Sequence, residues 1–241
     1  MRANHPTATI DVRPAAGRPH TDIGWLDSHH SFSFGGHHDP RNTHHGLLLV
    51  SNDDRVAPGS GFETHPHRDM EIITWVLEGE LEHKDTLANR GIIYPGLAQR
   101  MSAGTGIWHS EKNLSTDEPV HFVQMWVLPD REGNDPSYEQ LDINGELARG
   151  GLVPIASGRG HDAAIHIGQR DAVLWGGRLQ AGERVAIPDA RHVHLFVARG
   201  DVELEGAGAL LEGDAARLTA AGTPALVAGA AGAEVLVWET A

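Results

Sequence analysis

Two short segments carry metal-binding residue types at a spacing that lets each segment reach one ion. The first is His65-x-His67, and the second is His109-x-Glu111. Residues i and i+2 of a strand point to the same face of a sheet, so both members of a pair can contact one metal. Three neutral imidazoles and one carboxylate suit Fe, Mn, Co, Ni or Zn, and differ from the all-oxygen sets that Mg and Ca prefer. The two pairs predict one mononuclear metal site.

Spacing alone leaves this prediction open, because the chain is rich in histidine. It contains 17 histidines, so His-x-His pairs arise by chance, and His192-x-His194 is a second example. Judged by spacing only, His65 and His67 could equally be surface residues. Pro66 adds a constraint, since proline removes a ladder hydrogen bond and belongs at a sheet edge or a strand entrance. We therefore expect this segment at the mouth of a barrel.

The composition excludes several other kinds of site. The 241 residues allow one large domain or two of roughly 100–120 residues. The chain has no cysteine, which rules out disulfides, thiolate metal sites and cysteine nucleophiles. The formal charge of −14 disfavours direct contact with nucleic acid. No apolar run approaches the ~20 residues of a membrane span, and no signal-peptide core is visible, so we expect a cytoplasmic protein that contacts no membrane.

Short apolar runs between glycines and prolines predict an all-β fold. The runs are rich in β-branched or aromatic residues and are bounded by turn residues, which is typical of antiparallel strands in a sandwich or barrel. They are Gly46–Val50, Ile72–Leu77, Val120–Leu128, Val193–Ala198 and Glu234–Glu239. Few short helices are expected. The best candidate is Ser137–Leu147, which Gly145 interrupts.

An internal repeat predicts two tandem β-barrels. The segment Trp75–Glu82 resembles Phe196–Glu203, which lies 121 residues further along the chain. Two similar β-units in tandem indicate a bicupin, that is, two cupin-type barrels in one chain. The polar stretch Pro129–Ser137 is the natural junction. We therefore predict an N-terminal metal-binding domain over 1–133 and a degenerate C-terminal domain over 134–241.

The second unit lacks a complete metal site in the sequence. With the repeat offset, Ala186 and Pro188 stand where the first unit has its His-x-His pair, and no histidine follows His194. His192 and His194 are then partly exposed strand residues, or line a degenerate pocket, or form part of a weak second metal site. The sequence leaves their role open.

The sequence resembles the pirin family, a branch of the cupins. The resemblance is carried by HPHRDMEIITWVLEGELEH from His65 to His83 and by YPGLAQRMSAGTGIWHSE from Tyr94 to Glu111. Upstream, Gly24–Phe34 and Asn52–Pro58 resemble the bacterial pirin-like branch. The match covers most of the first 130 residues, while the C-terminal half matches more loosely.

The resemblance implies a ligand set for the metal. In pirins the ligands are the His-x-His pair and the later His-x-Glu pair, which are present here as His65, His67, His109 and Glu111. Ordinary cupins instead take their carboxylate from the first motif, where Glu71 stands in this chain. Glu71 is therefore the competitor of Glu111, and the pirin pattern favours Glu111.

The resemblance also implies a function. Some pirins act as flavonol (quercetin) dioxygenases, which open the oxygen heterocycle with O2 and release carbon monoxide. By this analogy one divalent ion binds the flavonol, and Glu111 takes the proton of its 3-hydroxyl group. The resemblance favours Fe(II) as the ion, and the ligand types also allow Mn, Co, Ni, Cu or Zn. The alternative is a non-enzymatic, iron-binding redox sensor that regulates protein partners. We expect a monomer in either case.

Several further residues are candidates for the pocket wall or for ordinary packing. Those that precede the first pair and match the family pattern are Trp25, His30, Phe32, Phe34 and Arg55. Met101 and Trp108 flank the second pair, and such side chains can wall a substrate pocket. The sequence does not distinguish the two roles for any of them.

Overall fold

The computed structural model of the protein describes residues 7–162 and 164–241. Residues 1–6 and 163 fall within the two predicted domains and lie outside the described residues.

Nearly all regular structure in the described part is strand. The first half contributes β1 Thr9–Arg13, β2 His20–Asp22, β3 Leu26–His30, β4 Leu48–Val56, β5 Gly61–His67, β6 Glu71–Glu78, β7 Leu81–Asp85, β8 Arg90–Ile93, β9 Leu97–Ser102, β10 Ile107–Lys112 and β11 Val120–Val127. The second half contributes β12 Ser137–Asp142, β13 Val153–Ser157, β14 Ile165–His166, β15 Ala172–Leu179, β16 Arg184–Ala186, β17 His192–Leu204, β18 Gly208–Leu211, β19 Ala215–Thr219 and β20 Ala225–Thr240.

The strands form three sheets that build two barrels. One barrel consists of a seven-stranded sheet in the order β12-β9-β6-β11-β4-β3-β2 and a four-stranded sheet in the order β5-β10-β7-β8. The other contains the order β1-β19-β17-β20-β15-β13-β14, with β16 added on β20 and β18 on β17. The predicted all-β bicupin fold is confirmed, and every predicted strand run overlaps an observed strand. None of the described helices has the length and apolar character needed to cross a membrane.

The predicted helix over Ser137–Leu147 is mostly wrong. Residues 137–142 form β12, which pairs antiparallel with β9 along its whole length, and only the single turn α1 Asn144–Leu147 is helical. The Asp142 carboxylate accepts a hydrogen bond from the Asn144 backbone N–H at 2.9 Å, which turns the chain out of the strand. Pairing with a strand remote in sequence therefore decides the conformation here, and local propensity does not.

Each barrel contains one strand that comes from the other half of the chain. β1, from the N-terminus, pairs with β19 of the second barrel, and β12, which follows the predicted junction, pairs with β9 of the first. We keep the division between residues 133 and 134 as a proposal, with these two strands exchanged across it.

The sequence repeat has a counterpart in backbone conformation. Gly79 and Gly200 occupy equivalent positions and both have positive φ, 76° and 72°. A Cβ on Gly79 would lie 2.9 Å from the Pro119 carbonyl oxygen, and one on Gly200 would lie 2.3 Å from that of Gly232. Both positions therefore require glycine, because a neighbouring strand approaches the backbone at a turn.

A single hydrophobic core joins the two barrels. Trp75 and Phe196, which the repeat places at equivalent positions, are both buried in this core. The indole N–H of Trp75 donates to the Glu234 carboxylate at 2.9 Å, and that of Trp238 donates to the Met125 sulfur at 3.2 Å. The second barrel has its own core beyond this interface. The interface therefore resembles the interior of a domain more than a surface contact.

A buried carboxyl group makes stability depend on pH. Asp54 lies on β4 opposite Ser28 of β3, and one of its carboxylate oxygens has no hydrogen-bond partner among the described residues. Burial, together with the charges of Asp53 and Glu111, raises the pKa of Asp54 from 3.8 to about 7. Because the folded state favours the protonated form, this carboxyl costs no stability below pH 3.8 and destabilises the fold as the pH rises toward 7.

We expect Asp54→Asn to raise the melting temperature of the metal-free protein at pH 8 and to raise it much less at pH 5. Asparagine keeps the shape of the carboxyl group without its charge. Thermal unfolding of both proteins across this pH range measures the difference, with the exposed Asp117→Asn as the control. A difference that stays constant with pH would contradict the assignment.

Candidate metal centre

The pairing of β5 with β10 brings the two predicted ligand pairs together. β5 is an edge strand and pairs only with β10, which accommodates Pro66 as the sequence predicted. His65 lies directly opposite His109, and His67 lies opposite Ile107. The register shifts between His109 and Glu111, and the extra residue lies on β5 between Phe62 and His65, because β10 keeps a regular register with β7 on its other side.

Three imidazoles converge at this point. One ring nitrogen from each of His65, His67 and His109 lies within 4.8 Å of the other two. The Nε2 atoms of His65 and His109 are 3.0 Å apart. The Nε2 of His67 is buried and has no hydrogen-bond partner in the described chain. An ion that binds imidazole nitrogen at about 2.1 Å holds adjacent ligand nitrogens about 3 Å apart, so the spacing fits a shared metal.

Hydrogen bonds on the far side of the His65 and His109 rings turn their Nε2 lone pairs into the site. The Nδ1 of His65 lies 2.7 Å from the Glu63 carbonyl oxygen, which can only accept, so Nδ1 carries the proton and Nε2 is bare. The bond between Nδ1 and a backbone carbonyl is the usual way to fix the tautomer of a metal-binding histidine.

A second imidazole and a carboxylate fix the tautomer of His109. His83 Nε2 donates to the Asp85 carboxylate at 3.2 Å, which leaves His83 Nδ1 as an acceptor. His109 Nδ1 lies 3.5 Å from His83 Nδ1 and therefore donates to it. Asp85 is held in turn by the Asn89 side-chain and backbone N–H groups. The unprotonated Nε2 atoms of His65 and His109 thus face each other at 3.0 Å. Their lone pairs repel each other unless a cation binds both.

Burial keeps two of these rings neutral. Desolvation, reinforced by the neighbouring His109 and His65, lowers the pKa of His67 to about 4. Desolvation, reinforced by His65 and His83, lowers the pKa of His109 to about 3. Since only the neutral imidazole binds a metal, both rings are in the binding form at neutral pH.

Glu111 lines the same cavity as His65 and His67. Its carboxylate is buried and accepts hydrogen bonds from the Gln124 side-chain N–H2 at 2.9 Å to each oxygen. The indole N–H of Trp126 donates to Gln124 Oε1 at 3.2 Å. Because an indole can only donate, this bond fixes which end of the amide faces Glu111. Glu111 is not part of the group within 4.8 Å, so it adjoins that group as an oriented carboxylate.

Glu71, the competing carboxylate, points to a different part of the molecule. It is buried, its Oε2 accepts a hydrogen bond from the Ser102 hydroxyl at 2.6 Å, and its Oε1 approaches Gly168 of the second half. It does not line the cavity that holds the histidines. These contacts give Glu71 a structural environment and favour Glu111 as the ligand.

His65, His67 and Glu111 line an aromatic cavity of about 760 Å³. Of the residues that the sequence suggested for the pocket, Trp25 and Phe34 line it. Phe62 and Trp126 also line it, and the sequence did not single them out. Trp126 lies edge-on to His67, with ring centroids 4.9 Å apart. Volume and lining suit a flat aromatic molecule of drug-like size.

The other suggested wall residues lie elsewhere. Phe32 and Met101 are buried in hydrophobic cores. Trp108 is 51% exposed and lies outside the cavity. His30 and Arg55 are also absent from its lining, and His30 Nδ1 bonds to Asn52 Oδ1 at 2.9 Å.

The histidines of the second barrel do not form a metal site with a third ligand among the described residues. His192 packs edge-on against His45, with ring centroids 5.1 Å apart. His194 is buried, and its ring lies 5.6 Å from that of Phe32. The interpretation of these residues as strand residues beside a degenerate pocket therefore fits the structure better than a second metal site.

Comparison with known proteins identifies the family. Residues 10–127 match the family model described as Pirin, and residues 154–240 match the Quercetinase C-terminal cupin domain. A Mycobacterium tuberculosis protein named "Putative quercetin 2,3-dioxygenase" is 59% identical over 234 residues, which cover 97% of this chain and 96% of the relative. The chain belongs to the pirin family.

Two further comparisons lead to Escherichia coli. One protein, named quercetin 2,3-dioxygenase, is 41% identical over 199 residues, covering 82% of this chain and 84% of its own. The crystal structure of the bacterial pirin YhhW in complex with nickel(II) matches with a TM-score of 0.88 at 35% identity, covering 96% of this chain and 99% of that one. This pirin therefore shares its whole architecture with a relative that binds a metal.

We expect His83→Phe to weaken metal binding by about 10- to 100-fold, the usual cost of losing a partner that orients a metal-binding histidine. Phenylalanine keeps a ring beside Tyr138, which stacks on His83 with centroids 4.8 Å apart, but it cannot accept the His109 proton. Competition titration with a chromophoric chelator measures the dissociation constant.

Two controls accompany this titration. His166→Phe changes an exposed histidine far from the site and should leave affinity unchanged. His20→Ala removes one member of an exposed surface group, His20, Asp27 and His29, that could bind a second ion. Unchanged affinity in His83→Phe would show that His83 does not orient His109.

Proposed function

We propose that the protein is a metal-dependent quercetin 2,3-dioxygenase, which cleaves the flavonol ring with O2 and releases carbon monoxide. The observation that supports this most is the convergence of three imidazoles, with two Nε2 lone pairs fixed toward each other, at the wall of an aromatic cavity of about 760 Å³ that His65 and His67 line. The relatives that carry this activity in their names match most of the chain.

We propose His65, His67, His109 and Glu111 as the residues that hold one divalent ion. When bound, such an ion acts as a Lewis acid that lowers the pKa of a coordinated hydroxyl group. Iron(II) is our proposal for the native ion. Nickel(II) is bound in the E. coli relative, and nickel binds nitrogen ligands more tightly than iron, so recombinant samples can carry another metal than the native one. Elemental analysis of protein purified from its own host tests the assignment.

The cavity wall would bind and orient the flavonol. Trp25, Phe34, Phe62 and Trp126 surround the open side of the histidine group with aromatic surface. Flat aromatic rings stack on such side chains or meet them edge-on, which adds to the free energy gained by burying them. The same surface excludes water from the reacting atoms and suppresses side reactions of the substrate.

Glu111 is our proposed proton acceptor. A flavonol binds through its 3-hydroxyl oxygen in deprotonated form, and a buried carboxylate next to the histidines is placed to take that proton. The two hydrogen bonds from Gln124 orient the carboxylate. Proton transfer would require Glu111 to be free of the metal during substrate binding, and Gln124 would hold it in place at that point.

We expect the metal-loaded protein to consume quercetin with release of carbon monoxide. Loss of flavonol absorbance and gas analysis in the presence of O2 measure the reaction, and exhaustive chelation should abolish it because the hydroxyl group is then no longer acidified. Turnover that survives chelation would contradict metal dependence. No turnover with any of Fe, Mn, Co, Ni, Cu or Zn would favour the alternative, an iron-binding regulator that acts through protein partners.

We expect Glu111→Gln to lower metal affinity and quercetin turnover at least about tenfold, while Glu71→Gln keeps both close to the original values. Glutamine has nearly the same shape and removes only the negative charge and the proton-accepting ability. Metal content after dialysis and initial rates measure the two effects, and melting temperatures show that both variants fold. The opposite pattern would assign the carboxylate role to Glu71.

A further inference from the structure

A second cavity, of about 220 Å³, lies between the two barrels and away from the metal centre. Its wall comes from three parts of the chain: the N-terminal segment around Arg18, the end of β3 at His30 and Ser31, and the paired strands β17 and β19 at His194 and Arg217. It therefore contains His194, for which the metal site has no role.

This cavity is positively charged, although the protein as a whole is acidic. Asp11, the one acidic residue among its described lining, is paired with Arg13 at 2.8 Å. Arg18 lies 3.5 Å from the Asp53 carboxylate. Arg217 is 7% exposed and has no carboxylate within 4.0 Å among the described residues. Asp11 stands opposite Arg217 in the pairing of β1 with β19, but its carboxylate is paired with Arg13, so the buried Arg217 guanidinium has no ion pair of its own.

Four buried polar atoms on this wall have no partner in the described chain. They are Arg18 Nε, Ser31 Oγ, His194 Nε2 and Arg217 Nε. More than 90% of buried polar groups in proteins are hydrogen-bonded, so four unpartnered atoms around one cavity are unusual. The two guanidinium nitrogens can only donate, and the hydroxyl and imidazole groups can donate as well. A molecule that binds against these donor-bearing side chains must be rich in acceptors.

The surroundings hold these groups in place. Arg217 Nη2 donates to the Ser31 carbonyl oxygen and to Asn42 Oδ1, both at 2.6 Å, and its guanidinium lies over the Phe32 ring at 4.5 Å. Arg18 donates to the Gly213 carbonyl oxygen at 3.0 Å. The donors are therefore oriented without any ligand, which lowers the cost of ordering them on binding.

We propose that this cavity binds one small oxyanion, a carboxylate or a phosphate, held by Arg217, Arg18, Ser31 and His194. The anion forms the ion pair that Arg217 lacks and accepts hydrogen bonds from the donor groups of the wall. Ser31 belongs to the first half of the chain and Arg217 to the second, so the bound anion links the two barrels and stabilises their contact.

Thermal unfolding of the full metal-loaded chain tests the proposal. Sodium phosphate, sodium acetate and sodium malonate are each compared with sodium chloride at equal ionic strength. We expect a saturable rise in melting temperature with at least one of the oxyanions, because a ligand that binds only the folded state stabilises it. A rise with phosphate alone assigns an inorganic anion, and a rise with the carboxylates assigns an organic acid. No rise beyond that in chloride would overturn the proposal.

Calorimetric titration with the stabilising anion then tests the residues. We expect one site per chain in the original protein and at least a tenfold loss of affinity in Arg217→Gln. Arg217→Lys keeps the charge and serves if the first variant does not fold. Arg184→Gln, at an exposed arginine on β16, should bind the anion unchanged. Equal affinity in the Arg217 variants and the original protein would overturn the assignment of the site.

Discussion

The register between β5 and β10 is the constraint on which the metal centre depends. A slip of one residue would turn His65 and His67 to the opposite face, because side chains alternate along a strand. Gly61 at the start of β5 helps to pin this register, since a Cβ there would lie 2.2 Å from the Glu111 carbonyl oxygen. The extra residue of the register shift lies on β5 between Phe62 and His65, while β10 stays regular, so His109 and Glu111 lie on the same face of β10.

Groups at the edge of the metal centre fix the proton positions and the orientation of its ligands. Asp85 accepts only, so it sets the proton on His83, which in turn sets the lone pair of His109. On the opposite side Trp126 donates only, so it orients Gln124, which presents two N–H groups to Glu111. Each chain of hydrogen bonds starts from a group that can only donate or only accept. That group decides whether the next imidazole or amide atom donates or accepts, so the orientation and the proton position of each ligand are fixed.

The sequence was sufficient for the features that depend on local alternation. The i, i+2 spacing of the two pairs follows from the two-residue period of a strand, although the family motif was needed to favour them as ligands over surface histidines. The edge position of Pro66 follows from the backbone N–H that proline lacks. Gln124 and Trp126 share the same spacing on β11, but nothing local links that strand to the histidines, so they were missed. The helix expected over Ser137–Leu147 failed for the same reason, because pairing with β9 is a non-local interaction. His194 likewise became interpretable only beside Arg217.

The exchange of β1 and β12 makes the two barrels inseparable. A cut at the junction would leave β1 and β12 on the wrong fragments, so β19 and β9 would each expose a row of unpaired backbone N–H and C=O groups. Such open edges pair with other chains and lead to aggregation. The second barrel, which lacks the histidines needed to bind metal as the first does, is therefore retained as an obligate half of one cooperative folding unit. A duplicated barrel of this kind cannot be lost, because the fold needs it, but the residues of its interior can change.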